Sequence, residues 1–106
     1  MTTDALLVYC TCPDNEVASQ LAEILVSKQL AACVNIVAGV QSVYAWQGKV
    51  EFDDEALLLI KTTTSKYETL QKLIQDEHPY ELPEIVAVSI TTGLPGYLEW
   101  INKSVG

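Results

Sequence analysis

The spacing of apolar residues changes several times along the chain, and each change marks an element. Ala5 to Thr11 (A-L-L-V-Y-C-T) is a continuous apolar run with Val and Tyr, and Pro13-Asp14 follows it. That pattern predicts a strand and then a turn. From Asp14 the period becomes helical. Val17, Leu21, Ile24, Leu25 and Lys28 form one stripe, with Asp14 and Glu16 at the end where a helix favours negative charge. This helix should end near Gln29. Ala32 to Trp46 reads as a long second strand and Lys49 to Thr63 as a third, joined at Gln47-Gly48, where glycine supplies positive φ for a hairpin turn. A two-residue loop sets Tyr44 opposite Glu51 and Ile36 opposite Leu59, unless Gly39 introduces a bulge that slips the register beyond it. Ser65-x-x-Glu68 has the form of a capping box opening a second helix, with Tyr67, Leu70, Leu73 and Ile74 as its apolar face and Pro79 as its stop. Glu84 to Thr91 reads as a fourth strand. Tyr97, Trp100 and Ile101, after Gly93 and Pro95, suggest a short closing helix.

The order β-α-β-β-α-β plus a C-terminal helix is an α+β, ferredoxin-like split βαβ plan, built as one domain over residues 1–106. Two helices cover one face of a four-stranded sheet. Yet Leu6, Val8 and Cys10 alternate with Leu7 and Tyr9, and Leu57 and Leu59 alternate with Leu58 and Ile60. Strands apolar on both faces are normally buried on both. A partner subunit, most simply another copy, would cover the second face. The alternative is that the last helix folds across it.

Composition narrows the class. Apolar residues make up 49% of the chain and charged residues only 19%, so it is neither a disordered acidic tail nor too polar to form a core. Apolar runs such as Ala56 to Ile60 fall far short of the ~20 residues that span a bilayer. Met1-Thr2-Thr3-Asp4 has no basic stretch ahead of an apolar one, so no export signal is visible and a cytoplasmic location is expected. Fourteen acids against six lysines, with no arginine, give a net charge of −8. Nucleic-acid binding, which relies on cations laid along phosphates, is therefore excluded. A cationic ligand, including a metal ion, suits this balance. The bland alternative is that the charge only keeps the protein soluble. The three cysteines, Cys10, Cys12 and Cys33, read as reduced thiols.

The blocks L-A-A-C-V-N-I (Leu30–Ile36), S-V-Y-A-W-Q-G-K (Ser42–Lys49), L-L-I-K-T (Leu58–Thr62), H-P-Y-E-L-P-E-I (His78–Ile85) and Y-L-E-W-I (Tyr97–Ile101) resemble the CutA family of divalent-cation tolerance proteins. They occur in the family's order and cover about residues 5–103. The resemblance implies a ferredoxin-like subunit in a homotrimer, architecturally similar to PII signalling proteins. It also implies a role in tolerance to copper and other divalent cations, with no organic cofactor. Cys10 matches the cysteine that the family places before its Pro-Asp turn, and His78 the histidine before Pro-Tyr. Some members carry a histidine pair there, and in this chain Glu77 takes the first position.

A thiolate, an imidazole and a carboxylate together suit Cu(II) or Zn(II), which makes Cys10, His78 and Glu77 the expected metal ligands. Cys12, two residues on, points to the same face as Cys10 and is a further ligand. Because Cys10 ends a strand and His78 ends a helix, the two ends need not meet within one subunit, which leaves a neighbouring subunit as the alternative source of one of them. The structural alternative is a core cysteine and a histidine in the last turn of a helix. Tyr44, Trp46, Glu55 and Lys61 form a second constellation. Lys61 is a lone cation in an apolar strand and calls for a partner such as Glu55. These residues read either as an inter-subunit cleft for a small ligand or as a salt bridge and aromatic packing between subunits. No Gly-rich phosphate loop or nucleophile elbow occurs, and a single histidine is a poor basis for an enzyme. A metal-binding tolerance protein is thus the leading reading, ahead of a PII-like ligand sensor or a purely structural trimer.

Overall fold

A computed structural model of the chain describes residues 3–106. Four strands, β1 (Ala5–Cys12), β2 (Cys33–Trp46), β3 (Lys49–Thr63) and β4 (Ile85–Ser89), form one sheet in the order β2-β3-β1-β4, with every neighbouring pair antiparallel. Three helices, α1 (Asn15–Ser27), α2 (Tyr67–Glu77) and α3 (Pro95–Val105), complete the fold. None is long and apolar enough to cross a membrane.

Local chemistry explains most element ends. Asp14 caps α1 by accepting a hydrogen bond from the Val17 N–H at 2.9 Å, an interaction of about 1 kcal/mol. Gln29, at φ 58°, ends the helix in the left-handed region, and the N–H groups of Leu30 and Ala31 turn back to the Leu25 carbonyl. Gln47 and Gly48 both have positive φ, which matches the hairpin's two-residue turn to the right-handed twist of β2 and β3. The capping box at Ser65 does not form. Thr64–Lys66 is a 3₁₀ turn, α2 opens at Tyr67 without a side-chain cap, and the Ser65 hydroxyl instead contacts Thr63 Oγ1 at 3.1 Å.

The hairpin register is Tyr44 opposite Glu51. Beyond Gly39, at φ 73°, a bulge between Val37 and Val40 brings Ile36 opposite Leu58 rather than Leu59. That single residue decides which side chains of β2 face the helices. Leu6, Val8, Cys10 and Cys12 of β1 and Ala56, Leu58 and Ile60 of β3 pack against Ala18, Leu21 and Leu25 of α1 and Leu70 and Ile74 of α2.

The opposite face holds Leu7, Tyr9, Leu57 and Leu59, half-buried, and Val86 and Val88, exposed. Helix α3 folds over one end of it, where Ile101 and Val105 bury Ala5 and Ala32. It does not cross the rest, so neither expectation for this face accounts for it alone. One end is closed by the chain itself, and the other end is an uncovered apolar surface.

Candidate metal centre and the adjoining cavity

β1 runs antiparallel to β4, with Cys10 opposite Ile85. The C-terminal end of β1 therefore lies beside the start of β4, which the chain reaches directly after α2. His78, the residue that terminates α2, thus meets Cys10 inside one subunit, the alternative that needs no neighbour. The ligand atoms of Cys10, Cys12 and His78 all lie within 4.8 Å of one another, and all three residues are buried. Glu77 is not among them, because its side chain is exposed on α2. One residue along a helix turns the side chain by about 100°, and that step carries the carboxylate to solvent.

Hydrogen bonds fix the state of His78. Its Nε2–H donates to the Thr11 carbonyl at 2.8 Å, and the Tyr80 backbone N–H donates to its Nδ1 at 3.1 Å. The Tyr80 ring also leans on the imidazole, with centroids 4.7 Å apart. The thiols are coupled. Hydrogen bonding to Cys12, and then burial, push the Cys10 thiol up, while the same bond lowers Cys12 against its own burial. Cys12 is therefore the sulfur that ionises first. In the structure the Cys10 S–H is directed at the Thr11 carbonyl, 3.8 Å away.

Two thiols and an imidazole are a donor set for zinc or copper. Bonds of about 2.0–2.3 Å in tetrahedral geometry hold ligand atoms roughly 3.5–3.8 Å apart, so the cluster fits such an ion after a modest contraction. The cost is plain. A metal must displace either the Thr11 or the Tyr80 hydrogen bond from the imidazole, so a weak site is expected rather than a tight one.

On the open side of the sheet, Tyr44, Trp46, Asp53, Glu55, Tyr80 and Glu84 help line a cavity of about 830 Å³. The Tyr44 hydroxyl donates to Asp53, and the Tyr80 hydroxyl donates to Glu55 Oε2 at 2.9 Å. Both phenols are held above their ordinary range. Tyr44 rises to about 12, chiefly through its bond to Asp53, and Tyr80 is raised by burial first and then by Glu55. Lys61 is not part of this cavity. It stands six residues along β3 from Glu55, roughly 20 Å at strand rise, and bonds the Asn35 amide oxygen. The expected Glu55–Lys61 pair therefore does not exist within a subunit. Tyr80, which links the cavity to His78, escaped sequence reasoning; its only signal was its place two residues after the histidine.

The family model described as "CutA1 divalent ion tolerance protein" matches residues 6–104. The divalent-cation tolerance protein CutA of Thermus thermophilus is 48% identical over 100 residues, covering 94% of this chain and 97% of that protein. The chloroplastic protein CutA of Arabidopsis thaliana is 47% identical over 103 residues, and the chain spans 57% of its length. A crystal structure of CutA from Xylella fastidiosa is similar with a TM-score of 0.96 at 42% identity, covering 98% of this chain and all of the other.

Proposed function

This chain belongs to the CutA1 divalent ion tolerance family, and from that premise we propose that it serves divalent-cation tolerance by binding a borderline-soft cation, Cu(II) or Zn(II), at Cys10, Cys12 and His78. The observation that carries the reading is the convergence of two thiols and the chain's only imidazole, their ligand atoms within 4.8 Å of one another in a buried cluster. Cation binding replaces thiol protons, and the fold supplies the donors already assembled. No catalytic step is part of the proposal, which is of a binding protein. A cytoplasmic setting belongs to the same reading, since a reducing compartment keeps the thiols available.

The working form in this proposal is a homotrimer. The support is the sheet face where Val86 and Val88 remain exposed beyond the reach of α3, together with Trp46, 58% exposed on the hairpin. The trimer number rests on the family resemblance, and the need for a partner rests on the apolar face. Calorimetric titration of reduced, metal-free protein with Zn(II) tests the site. The proposal expects one site per chain, weakened at least roughly tenfold in both Cys10→Ala and Cys12→Ala and unchanged in Glu77→Ala. Equal affinity in wild type and in both cysteine variants would place the cation elsewhere.

A further inference from the structure

The imidazole of His78 is held between two backbone groups of fixed polarity. A peptide N–H only donates and a peptide carbonyl only accepts. The Tyr80 N–H, 3.1 Å from Nδ1, and the Thr11 carbonyl, 2.8 Å from Nε2, therefore permit a single state: Nδ1 bare and Nε2 protonated.

A ring nitrogen that ligates a cation must be bare. If Nδ1 is used, the cation takes the lone pair that the Tyr80 N–H now occupies. If Nε2 is used, its proton must leave the Thr11 carbonyl. A neutral imidazole then carries its proton on Nδ1, where it meets the Tyr80 N–H donor to donor. Displacement at Thr11 thus ends the bond at Tyr80 as well. Loss of the Tyr80 bond is the one change common to both modes.

That bond holds more than the ring. Tyr80 lies in the connection between α2, which ends at Glu77, and β4, which starts at Ile85. Its N–H bonds His78, its hydroxyl donates to Glu55 Oε2 at 2.9 Å, and its ring leans on the imidazole with centroids 4.7 Å apart. Among the described residues, no other member of residues 79–83 makes a hydrogen bond within the chain. Leu82 is 86% exposed, so its side chain does not anchor the segment either. A stretch tied down at one residue opens locally at low cost.

We propose that Tyr80 is the positioning residue of the cation site, a latch that holds the imidazole in its metal-free state and is released, with residues 79–83, when a cation binds. The proposal rests on the site at Cys10, Cys12 and His78 put forward above. Through this latch the segment carries the state of a buried site to the surface.

Amide hydrogen exchange of the isotope-labelled full chain, with and without Zn(II), tests the latch, and calorimetry on the same samples records whether the ion binds. The Tyr80 N–H should exchange at least roughly tenfold faster with Zn(II), while Leu21 and Leu25 in α1 keep or gain protection, because a ligand of the native state stabilises the fold. The opposite signs separate release of the segment from general loosening. Tyr80→Phe keeps the N–H and the ring but removes the bond to Glu55. It should bind Zn(II) roughly threefold to tenfold more tightly, since less is broken on binding. A tyrosine with a structural part only would lower stability and leave affinity unchanged. Zn(II) binding that leaves the Tyr80 N–H protected, or no gain of affinity in Tyr80→Phe, overturns the latch while the cation site stands. Absence of calorimetric binding overturns the site and the latch together.

Discussion

Replacing His78 with alanine separates the fold's need for this residue from any need of a metal. The imidazole is buried and makes two hydrogen bonds, Nε2–H to the Thr11 carbonyl at 2.8 Å and Nδ1 from the Tyr80 N–H at 3.1 Å. Each contributes about 1 kcal/mol net, and deletion also leaves the carbonyl of buried Thr11 with only the weak Cys10 thiol donor, 3.8 Å away. The space left by the ring adds a cavity term of about 1 kcal/mol or more. His78→Ala should therefore cost about 3–4 kcal/mol in protein freed of metal by a chelator. Urea unfolding at one fixed protein concentration measures it, with Glu77→Ala as the adjacent control. Glu77 is exposed, so its loss should stay within about 0.5 kcal/mol. If His78→Ala costs less than about 1 kcal/mol without metal, the two hydrogen bonds do not hold the imidazole in place. The claim that a metal must compete with them then fails.

Three further outcomes follow from the same geometry. Zn(II) affinity should rise with pH through the neutral range, because the cation must displace the proton that hydrogen bonding and burial hold on Cys10; a titration series at constant ionic strength showing a flat profile would refute this. Stability should decline as pH rises above 10.0, the ordinary phenol value, because unfolded tyrosines ionise there while folded Tyr44 and Tyr80 keep their protons; stability contributed by a raised acid is complete below its unfolded value and lost above it. Urea midpoints between pH 9 and 11 check this, with a shallower decline expected in a Tyr44→Phe/Tyr80→Phe double variant. Light scattering should give a mass near three times 11.6 kDa, and Trp46→Ala should destabilise the assembly by a few kcal/mol, the usual cost of truncating a covered aromatic; a monomeric mass, or an unchanged melting temperature and mass in the variant, would remove Trp46 from the interface.

How much of the protein could be read from its residues depended on how local the deciding interaction was. The limits of β3, the acid at the start of α1 and the Gln47-Gly48 turn followed from pattern and propensity, while the hydrogen bond by which Asp14 caps α1 came with the structure. The alternation of apolar residues on both strand faces was itself enough to imply an apolar sheet face that two helices cannot cover. The capping box failed at Ser65 because a 3₁₀ turn there competed with it over the same few residues, and the motif alone does not say which wins. The cluster was half legible. Cys10, Cys12 and His78 stood out as donor types, but their meeting depends on β1 and β4 being antiparallel neighbours, a long-range fact of sheet order. Glu77 looked equivalent to His78 in sequence, yet the helical turn sends it to solvent. Glu55 and Lys61 looked like partners by charge, and the extended backbone of β3 keeps them apart. Periodicity and side-chain chemistry are local properties, and from them came the elements, the two-sided sheet and the kinds of donor atom available. Which donors share a site depends instead on strand order and register, which carry no local signature in the chain and emerge only when the sheet is assembled.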